Sequence, residues 1–122
     1  MKVEISNGEI LDRISILEIK KLNMQDADNL ANVEKEFQLL NPGVVDIFTK
    51  NGSEIQALFL ELSKVNNILW ALENKVREEK ITDKEFRNSS KRIFKYNEVR
   101  NQLKNDINII SGSEFKNVKE YR

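Results

Sequence analysis

Arg100 and Glu18 are charged residues standing where the surrounding pattern calls for apolar ones. Arg100 interrupts a three-four apolar series between Tyr96 and Leu103, and Glu18 sits one turn from Ile14 and Leu22 in an N-terminal helical stretch. A charge buried without a partner is costly, so each needs an opposite charge, a ligand or a path to water. Glu18 is the natural acid for Arg100, with Glu61 as the alternative. A hairpin turning near Ile81 and Thr82 brings Asn97 level with Asn66 and sets Arg100 within about one helical turn of both. Three roles for Arg100 stay open: a buried salt bridge that fixes register, a ligand-binding arginine, or a side chain that reaches solvent.

A second polar track runs beside it through Asn66, Trp70, Glu73 and Arg77. It reads as one wall of a groove or as plain packing of Trp70 at a helix edge. Glu73 and Arg77 stand in the favourable order for a helical ion pair, worth about 0.2–0.5 kcal/mol if exposed. The chemistry these residues suggest is the holding of a small anionic ligand. Arg100, Lys104, Arg77 and Asn97 would face it, with Glu18 or Glu73 as a polar partner. Electrostatics and positioning are the only catalytic means such a set offers.

Composition removes most other chemistry. The 122 residues include no cysteine and no histidine. Disulfides, zinc–cysteine sites, thiol nucleophiles and the commonest neutral-pH base are therefore absent. Asp26 and Asp28 with Asn29 and Asn32 lack the glycine and terminal glutamate of a calcium loop, and read as a helix cap. No cofactor and no metal is expected. No Gly-rich phosphate loop or nucleophile elbow is present. No apolar run reaches the roughly 20 residues of a membrane span. The opening lacks the basic and apolar regions of a signal peptide, so the expected location is cytoplasmic, with no membrane contact.

The elements that must position these residues are helical. Met1–Ile5 alternates and reads as an extended lead-in, at most half of a short two-stranded ribbon. Ser6-Asn7-Gly8-Glu9 is a capping box opening a first helix over 6–24. A second helix, capped by Asp26 or Asp28, runs over 26–41 and stops at Asn41-Pro42-Gly43. Residues 44–52 form a turn closed by Asn51-Gly52. Ser53-Glu54-Ile55-Gln56 caps a third helix to about Glu79, with a coiled-coil seam of Ile55, Leu58, Leu62, Val65, Leu69, Leu72 and Val76. Thr82-Asp83-Lys84-Glu85 caps a fourth over 82–110, whose matching seam includes Phe86, Ser89, Ile93, Ile107 and Ile110. So short a connection folds the last two helices back as an antiparallel hairpin. Residues 111–122 form a docking tail carrying Phe115, Val118 and Tyr121. The fold class is all-α: an antiparallel helical bundle, a single domain built on the 53–110 hairpin packed on the first helix.

Net charge is zero but unevenly spread. Residues 1–81 carry ten positive and fourteen negative side chains, and residues 82–122 carry ten and six. Lys84, Arg87, Lys91 and Lys95 form a basic stripe on the outer face of the last helix. A solvated face is the expected role, and nucleic-acid binding is not expected.

The opening from Val3 through Asp12-Arg13-Ile14-Ser15-Ile16-Leu17-Glu18-Ile19-Lys20 resembles the signature of an uncharacterised family of small helical proteins from bacteria and phages. Further blocks agree: Leu30-Ala31-Asn32-Val33 with Glu36, Val65-Asn66 through Trp70, Glu73 and Arg77, and Tyr96-Asn97-Glu98 through Arg100 and Lys104 to Asn108. The resemblance implies an accessory role beside glycosyltransferases and surface-polysaccharide genes, with no activity to transfer. Asn74 departs from it, standing where an acid is expected beside Glu73. The reading is a non-catalytic binding or scaffold module, acting as a homo-oligomer or with a protein partner. The alternative is an interior site for a small anionic ligand.

Overall fold

The computed structural model describes residues 5–113, folded as three packed helices with no strand among the described residues. They are α1 (Asn7–Asn23), α2 (Ala27–Val76) and α3 (Asp83–Ile110). The expected lead-in, ribbon and docking of Phe115, Val118 and Tyr121 fall outside the described residues. The all-α bundle expected from the periodicity is the observed architecture.

Each helix begins on a side-chain cap. Ser6 is extended, and its Oγ accepts from the Glu9 N–H at 3.2 Å. The reciprocal half of that capping box is not formed, because the Glu9 carboxylate turns to Lys104, 2.6 Å away, instead of to its own backbone. Asp26 accepts from the N–H groups of Asp28 and Asn29. The Thr82 box is complete: Thr82 Oγ1 accepts from the Glu85 N–H at 3.1 Å, and Glu85 Oε1 accepts from the Thr82 N–H at 3.2 Å.

α2 departs from the expected layout. The stop at Asn41-Pro42-Gly43 and the turn over 44–52 are not there, because the helix runs on through Pro42. The apolar spacing explains this: Val33, Phe37, Leu40, Val44 and Ile47 continue in phase across the proline. Val44 and Ile47 are buried, while Pro42 faces solvent. Proline removes one helical hydrogen bond and typically costs about 3 kcal/mol inside a helix. Burying two β-branched side chains offsets a loss of that order. The break comes instead at Gly52, whose φ of 68° and ψ of −148° lie outside helical space. Gly52 divides α2 into two arms that fold toward each other, and Phe48 meets Phe59 edge to face across it at 5.5 Å.

The second arm of α2 and α3 form the antiparallel hairpin, with Lys75 and Glu85 paired at 3.0 Å beside the connection. The core gathers residues from every helix: Leu11, Ile14 and Leu17 of α1, Val33, Val44, Ile47, Ile55 and Leu62 of α2, and Ile107 of α3. The α2 seam is buried at Ile55, Leu62, Val65, Leu69 and Leu72. The α3 seam closes less fully. Phe86 and Ile110 were expected in it and are exposed, at the two ends of α3, while α1 meets the helix at Arg100, Lys104 and Asn108.

Candidate functional site

α1 approaches α3 closely because Gly8 allows it. A Cβ at Gly8 would collide with the Lys104 carbonyl oxygen and lie 3.0 Å from Asn108 Oδ1. That same Asn108 oxygen accepts from the Gly8 N–H at 2.7 Å. Asn7 donates its N–H to Ser113 Oγ and its Nδ2 to Ser111 Oγ, each at 2.9 Å. Two N–H groups that a helix start leaves unpaired are thus answered by side chains from the far end of the chain.

One turn further along α1, Asp12 is 1% exposed and fully engaged. Arg100 grips it side-on, with Nε donating to Oδ1 at 2.9 Å and Nη2 to Oδ2 at 2.5 Å. Asn66 Nδ2 donates to Asp12 Oδ1 at 2.9 Å and to Ser15 Oγ at 2.5 Å. Ser15 Oγ in turn donates a hydrogen bond to the Asp12 carbonyl oxygen at 2.9 Å. Lys104 Nζ stands 3.8 Å from Asp12 Oδ2 while holding Glu9. A carboxylate so held is the acceptor for two charge-assisted bonds, the strong kind. The Arg100 pKa is raised: hydrogen bonding to Asp12 raises it, burial opposes, and the charges of Asp12, Glu9 and Glu73 add to the rise.

Asp12, not Glu18, is therefore the acid that Arg100 requires. Glu18 lies six residues beyond Asp12, about 240° round the helix on a period of 3.6, and so faces away. It is exposed and borders a hollow with Leu22, Ser63 and Asn67. Its carboxyl pKa is raised by partial burial, against the opposing charge of Lys21. The alternative, Glu61, is also exposed and pairs with Lys64 at 3.3 Å.

Of the other expected residues, Asn66, Trp70, Glu73 and Arg100 do come together. They line a hollow of about 190 Å³, closed on the α1 side by Ile16, Ile19 and Lys20. A second hollow, of about 250 Å³, continues along α1 past Arg13 and Glu9 and shares Ile16, Lys20 and Arg100 with the first. Arg77 is not part of this groove: it is exposed, caps the end of α2, and forms no ion pair with Glu73 among the described residues. Asn97 is half-buried and makes no side-chain hydrogen bond to the network among the described residues. Lys104 belongs to the network through Glu9 rather than to the groove.

Sequence reasoning missed Glu9, Asp12, Ser15, Lys20 and Asn108. A signal existed in the spacing of Gly8, Asp12, Ser15 and Ile19, a second stripe at helical intervals, all of it buried. It also missed that Phe94, 69% exposed, stands among the cations of the outer stripe.

The arrangement holds Asp12, Glu9 and Glu36 in ion pairs with Arg100, Lys104 and Arg13. Among the described residues no group of three or more carboxylates is placed to hold a metal ion, and no helix is long and apolar enough to cross a membrane. Residues 1–122 match the family described as Family of unknown function (DUF6165), and the chain belongs to it. No curated protein and no solved structure matches the chain.

Proposed function

We propose that this member of a family of unknown function is a non-catalytic binding module that assembles with copies of itself. One observation supports this most: the turn-side half of α3 is left with large apolar side chains in water. Phe86 is 47% exposed and Phe94 more so, flanked by Lys84, Arg87, Lys91 and Lys95. A second copy supplies complementary charge, because the basic excess lies in residues 82–122 and the acidic excess in residues 1–81. Symmetric association also covers apolar surface that a lone chain leaves bare. The setting suggested by the family resemblance is an accessory one, in the cytoplasm, beside surface-polysaccharide or glycosyltransfer machinery.

Sedimentation equilibrium tests the assembly. The chain is expected to associate at micromolar concentration, less so as salt screens the charges. Phe86→Ser with Phe94→Ser is expected to give a folded monomer. A wild-type chain that stays monomeric at every concentration overturns the proposal.

A second reading, a small ligand held in the groove, has one observation in its favour. Asp12 occupies Nε and Nη2 of Arg100, and Nη1 has no protein acceptor among the described residues.

A further inference from the structure

We infer that the groove beside Arg100 is a site for a small organic anion that also carries a hydroxyl or amino donor. The inference rests on the groove reading and is independent of self-association. Three cationic groups that line the groove keep unanswered donors among the described residues. Arg100 keeps Nη1. Lys20 forms no ion pair, although it borders both hollows. Arg13 Nε is buried without a hydrogen-bond acceptor, its nearest carboxylate oxygen being Glu9 Oε1 at 3.6 Å. Arg13 Nε has no surface open to the hollow, so the free donors that a ligand reaches are those of Arg100 and Lys20.

The acids around the groove narrow the ligand. Glu9, Asp12 and Glu36 are each paired: Glu9 with Lys104, Asp12 with Arg100, and Glu36 with Arg13 at 3.4 Å. Glu73 has no such partner among the described residues and lines the same hollow as Lys20. An unpaired carboxylate beside an unpaired lysine and a free arginine donor disfavours a bare anion and favours one whose donor reaches the acid. The indole of Trp70 and the side chain of Leu69 supply an apolar wall for the carbon frame. The hollows, about 190 and 250 Å³, each match the space of roughly six to eight waters at ~30 Å³ apiece, which suits a ligand of a few carbon atoms. A hydroxy acid of three carbons has this chemistry.

The test uses the full chain with glycerate, acetate, glycerol and inorganic phosphate as probes, followed by the Trp70 indole and arginine Nε–H resonances. Glycerate is expected to shift the Trp70 and Arg100 signals and to bind about tenfold more tightly than acetate, with glycerol giving no shift. Lys20→Gln is expected to abolish glycerate binding without altering the fold. Glu73→Gln should remove the preference for glycerate over acetate. Acetate or phosphate binding as tightly as glycerate overturns the requirement for a donor. Absence of these shifts with every probe at millimolar concentration overturns the site. Neither result bears on sedimentation, so failure here and failure of self-association are separable.

Discussion

The two ends of the α2–α3 hairpin are built differently. Where α1 lies against it, three helices meet, Leu11, Ile55, Leu62 and Ile107 have no exposed surface, and a carboxylate is buried among them. Its partner Arg100 is 88 residues away in the chain. At the turn end only two helices meet. Ala71 and Ser89 leave a hollow of about 430 Å³ there, and Phe86 and Phe94 face solvent. What holds that end is local: the Thr82 capping box and the Lys75–Glu85 pair. A third helix makes distant polar groups into specific interior partners. Without it, only Leu72 and Ser89 are buried around that hollow, and the caps and surface ion pairs beside them are each worth little.

The contrast breaks most readily at Asp12. Asp12→Leu and Arg100→Met are each expected to lower unfolding free energy by about 3–5 kcal/mol, since each strands the other's charge, while the double variant recovers much of the loss. Chemical denaturation measures all three, and strictly additive losses would dissolve the pair. A smaller effect separates the two ends by packing alone. Leu62→Ala, in the covered half, is expected to cost about 2–5 kcal/mol, whereas Phe94→Ala should stay within about 0.5 kcal/mol. Equal losses would mean that the turn end is covered after all.

The smallest effect is electrostatic and confined to the turn end. The Glu85 carboxyl is lowered to about 2, first by its bond to Lys75 and then by those from Thr82. A depressed acid lends its stabilisation above the ordinary carboxylate range and loses it as pH falls through the depressed value. Carboxyl resonances should therefore show Glu85 titrating near 2. Amide exchange at residues 82–85 should reflect a local stability that declines progressively as pH falls from the ordinary carboxylate range toward that value. A midpoint in the ordinary range would leave the turn end without its ion pair.

The hairpin was legible because its partners are periodic: Ile55 to Leu72 advance by threes and fours on one face. The first arm of α2 was legible in phase but misread in extent. Pro42 is a strong local stop, and the apolar phase that continues through Val44 and Ile47 outweighs it only once Ile10 and Leu11 are there to bury them. Arg100 stood out as an interruption of an apolar seam, and Asn66, Trp70 and Glu73 as a polar track beside one, and the four do gather in one place. Asp12 did not stand out. It lies on a face made of Gly8 and Ser15, small or polar residues that a hydrophobic pattern assigns to solvent. That face becomes interior only when α3, a distant segment, is laid against it.

Gly52 has a consequence for how the chain keeps to itself. Its positive φ is open to glycine and strained for other residues, and no neighbouring atom lies within 4 Å of where a Cβ would be. The angle is therefore set by the backbone rather than by crowding. Were residue 52 helical, the 50 residues of α2 would form one rod of about 75 Å. The first arm would then carry α1 away from its own hairpin. Gly8, Asp12 and Ser15 would meet Asn66, Arg100 and Asn108 only in another chain, by domain swapping. One glycine at the bend thus separates a bundle closed within a single chain from a dimer entwined through exchanged arms.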